Sequence, residues 1–200
     1  MKKTLLLLIS VFLIAQGIAQ SGFSDSLARS RANLTKNAMI TLGTWALANI
    51  GSGFIIASGT SGEPKYFWLM NSYWNFINLG LAIPGYIGAL RAASSRIGFA
   101  ENIRSQLAIE KLYVFNAGLD LAYIAGGLYL GERGKTEKDL VTSEQYNGYG
   151  NSIALQGAFL LVMDAVMYCL HHNNTRLVDK RLRGMEINAG PGGLSLIYRF

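Results

Sequence analysis

Two aspartates lie in the middle of long apolar segments, and they have the clearest capacity for chemistry in this sequence. Asp120 falls within 112–130 and Asp164 within 152–170. A charged side chain at the centre of a bilayer costs ~2.5–3.5 kcal/mol on insertion scales, so an intramembrane ionisable residue is a functional candidate by default. The pair therefore indicates a site for a proton, an ion or a small polar ligand.

Amide side chains accompany these aspartates at helical spacing, and we predict that all of them share one buried seam. The alternative is interhelical hydrogen bonding with a purely structural role, which contributes ~0.6 kcal/mol per contact on average. That alternative weighs more heavily for the amides than for the carboxyls, since a carboxylate is a costly way to obtain packing. The candidate seam comprises Asn49, Asn71, Asn75, Asn78, Asn116, Asp120, Gln156 and Asp164.

The elements that must position these residues are apolar segments of roughly membrane-crossing length. Half of the 200 residues are hydrophobic and 15% are charged, against roughly 25% charged in an average globular domain. A helix needs ~20 apolar residues to cross a hydrocarbon core of ~30 Å. The sequence predicts an all-α membrane protein whose four-transmembrane-helix bundle occupies 39–171 as two helical hairpins. Its spans are 39–58, 66–90, 112–130 and 152–170.

The first residues have the pattern of a secretory leader. Lys2 and Lys3 form a basic start, 5–15 is apolar, and Gly17 and Ala19 supply small residues. We predict a signal peptide at 1–19 with cleavage after Ala19, which implies export; an uncleaved signal anchor is the alternative. An amphipathic flank follows at 20–38, and the 131–150 connection is expected to be a long loop.

The C-terminal part, 172–200, is predicted to be a basic tail with a β-hairpin. A Gly-Pro-Gly-Gly turn at 190–193 precedes alternating apolar residues up to Phe200. About seven residues resemble the closing strand of outer-membrane barrels, so the outer membrane is a minor alternative to a bacterial inner membrane. A barrel needs many such strands, and the body of the chain has the pattern of helices.

Charge and leader give conflicting predictions for sidedness. Most lysines and arginines flank the spans on the side of the N-terminal flank, the 91–111 segment and the tail. The positive-inside rule places that side in the cytoplasm, whereas a translocated leader with four crossings places it outside. We favour the leader.

Other features predict packing rather than catalysis. The sequence carries no P-loop, HExxH or GxSxG motif. His171 and His172 end the fourth span and are expected to anchor it at the membrane surface, and Cys169 is expected to be a packed thiol. The small-residue pairs Gly53/Ala57 and Gly127/Gly131 are expected to pack within the chain, with dimerisation as the alternative.

Four runs together resemble an uncharacterised family of small multi-span membrane proteins, a domain of unknown function. They are GTWALAN at 43–49, YWNFIN at 73–78, EKLYVFNAGLD at 110–120 and QGAFLLVMD at 156–164. The resemblance covers most of 38–171. It implies no known activity and supplies no catalytic residues.

We therefore expect an integral membrane protein with a non-enzymatic binding or structural role in the cell envelope. Its expected partners are membrane lipids and either a second copy of the chain or an envelope protein; no nucleic acid, cofactor or metal is expected. The alternative is a small transporter or proton-coupled carrier that uses the intramembrane Asp/Asn seam.

Overall fold

Over the residues that the structure describes, the protein is a bundle of four long helices followed by two short strands. The computed structural model describes the backbone of residues 2–95, 97–183, 185–190 and 193–198, and the side chains of 22–95 and 97–183. The helices are α1 (Lys2–Ser58), α2 (Gly62–Ser94), α3 (Phe99–Thr136) and α4 (Leu140–Arg183), and the strands are β1 (Met185–Gly190) and β2 (Gly193–Tyr198).

The helices pack as two antiparallel hairpins, as predicted. α1 lies along α2 and α3 along α4, while α2 contacts α4 and joins the two hairpins. Glycines allow the closest approaches, because a methyl group on Gly53 would meet Ser72 and Trp68 of α2, and one on Gly127 would meet α4 backbone. Both small-residue pairs therefore have a member that packs within the chain.

The predicted long loop at 131–150 is wrong. α3 continues to Thr136 and α4 begins at Leu140, so only three residues connect them. Asp139 caps the start of α4, since its Oδ2 accepts hydrogen bonds from the Thr142 amide (2.8 Å) and hydroxyl (2.7 Å). These bonds lower the pKa of Asp139 below its ordinary value. Of the alternating charges, Glu132, Arg133 and Lys135 lie at the end of α3, and the other three residues, 137–139, form the short connection.

Three helical segments of the described chain are long and apolar enough to cross a membrane. They are Gly22–Ser58, Gly62–Ser94 and Leu140–Arg183. Four such spans were expected. α3 is less apolar because Asn116, Asp120 and several tyrosines interrupt its apolar residues.

The helices extend well beyond a single crossing. α4 has 44 residues, which is ~66 Å at 1.5 Å per residue, about twice the hydrocarbon thickness. The residues 172–183, predicted as tail, continue α4. Residues 22–38 likewise continue α1, and the predicted amphipathic flank buries Arg31 as well as Leu27. With the start of α3, these extensions gather at one end of the bundle, which we name the basic end.

Polarity is inverted relative to a soluble bundle. Large apolar side chains such as Ile55, Phe115 and Val162 are exposed, and the largest fully buried side chains are polar. Those buried side chains are His171, Gln106, Gln156, Asn71, Asn75, Asn102, Ser72 and Ser152.

The two chain ends bear on two further predictions. β1 and β2 pair antiparallel, with Gly190 opposite Gly193, in the segment for which the sequence predicts a hairpin. The backbone of 2–20 is continuous with α1, and cleavage after Ala19 stays a prediction. The side chains of both segments lie outside the described residues.

Candidate functional site

The first polar group inside the bundle is a closed ring of hydrogen bonds that joins three helices. Trp45 Nε1 donates to Gln156 Oε1 (2.9 Å), and Gln156 Nε2 donates to Asn71 Oδ1. Asn71 Nδ2 donates to Asn49 Oδ1 (2.5 Å), whose Nδ2 donates to the Trp45 carbonyl (2.8 Å). We name these four residues the amide ring.

Neighbouring contacts reinforce this ring. Asn75 Nδ2 donates to the Asn71 carbonyl (2.7 Å), and Asn78 Nδ2 donates to Asn75 Oδ1 (3.0 Å). The Trp45 ring stacks on Phe159, with centroids 3.9 Å apart and planes within 5°. Each amide thus has a hydrogen-bond partner, and the ring holds α1, α2 and α4 together.

The second group runs along the interface of α3 and α4 and consists of titratable side chains. Asp164 on α4 lies beside Asp120 and Asn116 on α3 and interacts with both side chains, and both carboxyls are buried. Asp120 Oδ2 has no partner among the described residues. Tyr113 lies within electrostatic range of Asp164 and stacks on His171, with ring centroids 5.4 Å apart.

The expected surface anchoring of His171 is wrong. Its side chain is 0% exposed, and neither ring nitrogen has a partner within the described part of the chain. His171 is buried because it lies seven residues after Asp164. That spacing puts both residues on the α4 face that packs against α3. Gln106 Nε2 donates to the His171 carbonyl (2.8 Å), and this covers the backbone next to the ring.

Glu110 ends this group at the basic end. Its carboxylate accepts hydrogen bonds from the Thr175 hydroxyl and from Gln106 Nε2 (3.3 Å), and its Oε2 lies 3.1 Å from His172 Nδ1. Burial raises the pKa of Glu110, but the bonds from Thr175, His172 and Gln106 and the attraction of His172 outweigh it, so the pKa lies below its ordinary value. We name Glu110, His171, Tyr113, Asp164 and Asp120 the titratable row.

A separate contact fixes the basic end of α1 to α3. The buried Arg31 guanidinium donates to the Asn102 carbonyl (3.0 Å) and to its Oδ1 (2.5 Å). Asn102 Nδ2 donates in turn to the Ser24 carbonyl (2.5 Å) and hydroxyl (3.0 Å). This contact positions α1 beside the row.

The predicted single seam is therefore two groups that share α4. Asn49, Asn71 and Gln156 belong to the ring, Asn75 and Asn78 extend it along α2, and Asn116 joins Asp120 and Asp164. Sequence reasoning missed the parts of the row nearest the basic end. Their signal was helical spacing, since Glu110, Tyr113 and Asp120 fall three and seven residues apart on α3. Cys169, expected to be packed, is exposed.

Fold and site together define a helical bundle with an apolar exterior and a polar interior. Residues 41–165 match a family of unknown function, DUF6992. This is more than half of the chain, and the protein belongs to that family, which confirms the predicted membership of an uncharacterised family. The match contains the amide ring and both aspartates, but not His171. No curated protein and no solved structure matches the chain.

Proposed function

We propose that the protein is an integral membrane protein whose four helices all cross the bilayer. The observation that carries this proposal is the inverted polarity, because apolar side chains face outward where lipid can contact them while amides and carboxyls face inward. α3 follows the same pattern despite its lower hydropathy: Leu112, Phe115 and Leu121 are exposed and Asp120 is buried. Lipid also requires internally bonded backbone, which helices provide.

Arginine substitution on the exterior tests this proposal. Val162 is 64% exposed within the fourth span, and Leu177 is 58% exposed on the same helix beyond it. An arginine at mid-span costs ~2.5–3.5 kcal/mol on insertion scales. Val162→Arg and Leu121→Arg should therefore reduce membrane-integrated protein after carbonate extraction, while the matched control Leu177→Arg should not. Equal tolerance of all three variants would contradict a membrane exterior.

We propose a non-enzymatic binding or structural role in the cell envelope for this bundle. The basic end gathers Arg29, Lys36, Arg104, Arg176 and Lys180, and an anionic surface attracts each nearby cation by ~1 kcal/mol. Phe23 and Ser24 of α1, which lie just after the proposed cleavage site, both contact α3. Export by this leader and residence in a bacterial inner membrane are part of the proposal.

Lipid composition and a topology reporter test this role. The protein in nanodiscs should melt at a higher temperature with phosphatidylglycerol than with phosphatidylcholine alone. Arg176→Glu with Lys180→Glu should remove most of that difference, and the control pair Lys135→Glu with Lys138→Glu, at the opposite end, should retain it.

A reporter fused after Arg183 should lie outside the cytoplasm; a cytoplasmic reporter would contradict the leader.

A second candidate function is a small proton-coupled carrier. The specific observation in its favour is the buried Asp120–Asp164 pair, in which one carboxyl oxygen has no partner among the described residues. Asp120→Asn and Asp164→Asn keep the size and most hydrogen bonding of each side chain but remove the exchangeable charge. In a carrier both should abolish coupled transport by reconstituted protein. Parental transport by both variants would exclude the carrier.

A further inference from the structure

The titratable row extends from the basic end of the bundle to the middle of the proposed third and fourth spans. Glu110, beside the half-exposed His172, lies at one end. The 0% exposed His171 follows, then Tyr113, and the Asp164–Asp120 pair completes the row. From Glu110 to Asp120 is ten residues, or ~15 Å along α3.

His171 is the member of this row that the packing alone does not explain. A buried polar atom without a partner costs ~1–3 kcal/mol, and both ring nitrogens are in that position within the described residues. Gln106 Oε1, also on this stretch of the interface, has no described partner either. Glu110 of α3 and Arg31 of α1 both act electrostatically on the imidazole. Packing alone would be served as well by an apolar side chain, so it does not explain a buried imidazole with two unpaired nitrogens.

The opposite half of the α3–α4 interface has a different character. A methyl group on Gly127 would lie 2.6 Å from the Ala154 amide nitrogen and 2.6 Å from the Gly150 carbonyl oxygen. One on Gly157 would lie 2.9 Å from the Asp120 carbonyl oxygen. Backbone packs against backbone there, which leaves no room for a polar path. At the basic end, in contrast, the row lies beside the half-exposed His172.

We propose that the α3–α4 interface is a one-sided proton pathway, in which His171 relays protons between the basic end and the mid-membrane Asp164–Asp120 pair. The inference rests on the second candidate function and deepens it.

Each transfer moves one proton and returns the relay to its starting charge. A proton delivered from the Glu110 side binds the unprotonated nitrogen of the neutral His171 ring and makes it cationic. The ring then releases the proton of its other nitrogen to a chain of water molecules, which passes a proton over the ~10 Å along α4 to the Asp164 carboxylate. That carboxylate becomes a carboxylic acid. The neighbouring Asp120 carboxylate can then take that proton from Asp164, which returns to its ionised form. An imidazole can do this because one nitrogen of the neutral ring accepts a proton, and the cation can then release a proton from the other nitrogen.

The test measures proton exchange in the full chain, reconstituted in sealed phosphatidylcholine/phosphatidylglycerol vesicles. Dicyclohexylcarbodiimide adds to a carboxylic acid but not to a carboxylate, and mass spectrometry of peptides locates the adduct. The internal and external pH are set separately, and protease accessibility after Arg176 reports orientation. We expect labelling of Asp120 and Asp164 to follow the pH of the compartment that holds the basic end. Labelling that follows the other compartment, or both, overturns the one-sided pathway.

His171→Gln tests the relay itself. Glutamine retains polarity but cannot pass a proton between two nitrogens, so labelling should respond to a pH jump at least tenfold more slowly than in the parent. The matched control Asn173→Gln introduces the same side chain at an exposed position two residues away and should respond like the parent. A His171→Gln response as fast as the parent's overturns the relay while leaving the carrier to the Asp→Asn transport test. Absence of adducts at every pH overturns the relay and the carrier together.

A second measurement needs no change in the row. The chain has two histidines, so ¹⁵N-histidine labelling gives two imidazoles, which His172→Gln assigns. Water-saturation transfer should show the His171 ring N–H exchanging rapidly with solvent despite its burial. A protected His171 N–H overturns the relay.

Discussion

The amide ring and the titratable row lie in the same bundle, share α4 and differ in how their polar atoms are used. In the ring, every donor named above meets an acceptor, and the bonds close on themselves from Trp45 back to Trp45. In the row, Asp120 Oδ2 and both His171 nitrogens lack partners among the described residues. Buried polar groups that are fully bonded stabilise and specify a fold, whereas partly bonded ones need another explanation.

This difference separates two roles that the sequence alone does not separate. Amides cannot titrate, so a closed amide network can fasten helices but cannot carry charge. The row consists of groups that can gain or lose a proton. It lies along the α3–α4 interface, and in the other half of that interface glycines let the two helix backbones pack directly against each other. The comparison therefore predicts that changes in the ring alter stability without altering proton exchange. Changes at His171, Asp120 and Asp164 should alter proton exchange with little effect on stability.

The largest expected loss of stability is in the half of the α3–α4 interface where glycines let the two backbones pack directly. Gly127→Leu would force a side chain into the α4 backbone, and overpacking without a flexible neighbour should cost ~3 kcal/mol or more. Gly126→Leu is a matched control, because a methyl group at the adjacent Gly126 meets nothing within 4 Å. Thermal unfolding in detergent should show a large loss of stability for the first variant only. A tolerated Gly127→Leu would show that this half of the interface is open.

The next effect is in the ring. Gln156→Leu removes the acceptor of Trp45 Nε1 and the donor to Asn71 Oδ1, and buried atoms left without partners should cost ~2 kcal/mol in total. Thermal unfolding measures this loss, and carbodiimide labelling of Asp120 and Asp164 should keep its parental pH response. Asn151→Leu, which removes a bond to Glu63 at an exposed position, should lose much less stability. A slowed labelling response in folded Gln156→Leu would break the separation of ring from row.

A smaller change in stability is expected from Asp164→Asn. The amide can still bond to Asn116 and Asp120, and one of two adjacent buried carboxyls is removed, so the free energy of unfolding should change by less than ~1 kcal/mol. Proton exchange should nevertheless be lost, as should any coupled transport. A stability loss as large as that of Gln156→Leu, with unchanged exchange, would reassign Asp164 to the structural group.

The sequence predicts the coarse architecture well because hydropathy and helical spacing are local properties. It predicts four helices, two hairpins and the buried face of α2 at Asn71, Asn75 and Asn78. It does not predict how short the connection before Leu140 is, since a charged segment is compatible with both a loop and a helix end. It also does not predict the split of the seam, because rotation of α4 decides which residues Gln156 and Asp164 meet. His171 was misplaced because position at a span's end suggests exposure, whereas the extension of α4 and α3 beyond the span buries it.

The smallest expected effect is the pH dependence at the basic end of the row, and it distinguishes an ordinary structural carboxylate from the mid-membrane pair. The pKa of Glu110 is below its ordinary value in the folded chain, so the folded state favours the ionised form more than the unfolded state does. Its contribution to stability is therefore full above the unfolded pKa of ~4.3 and is lost as pH falls through the lower folded pKa. Glu110→Gln should be less stable than the parent at pH 7, and the difference should shrink below pH ~4. Unfolding curves from pH 7 to pH 3 measure it, with the exposed Glu101→Gln as control. A difference that grows on acidification would mean that Glu110 is stabilised in its neutral form, and the row would then begin with a carboxylic acid that could donate a proton directly.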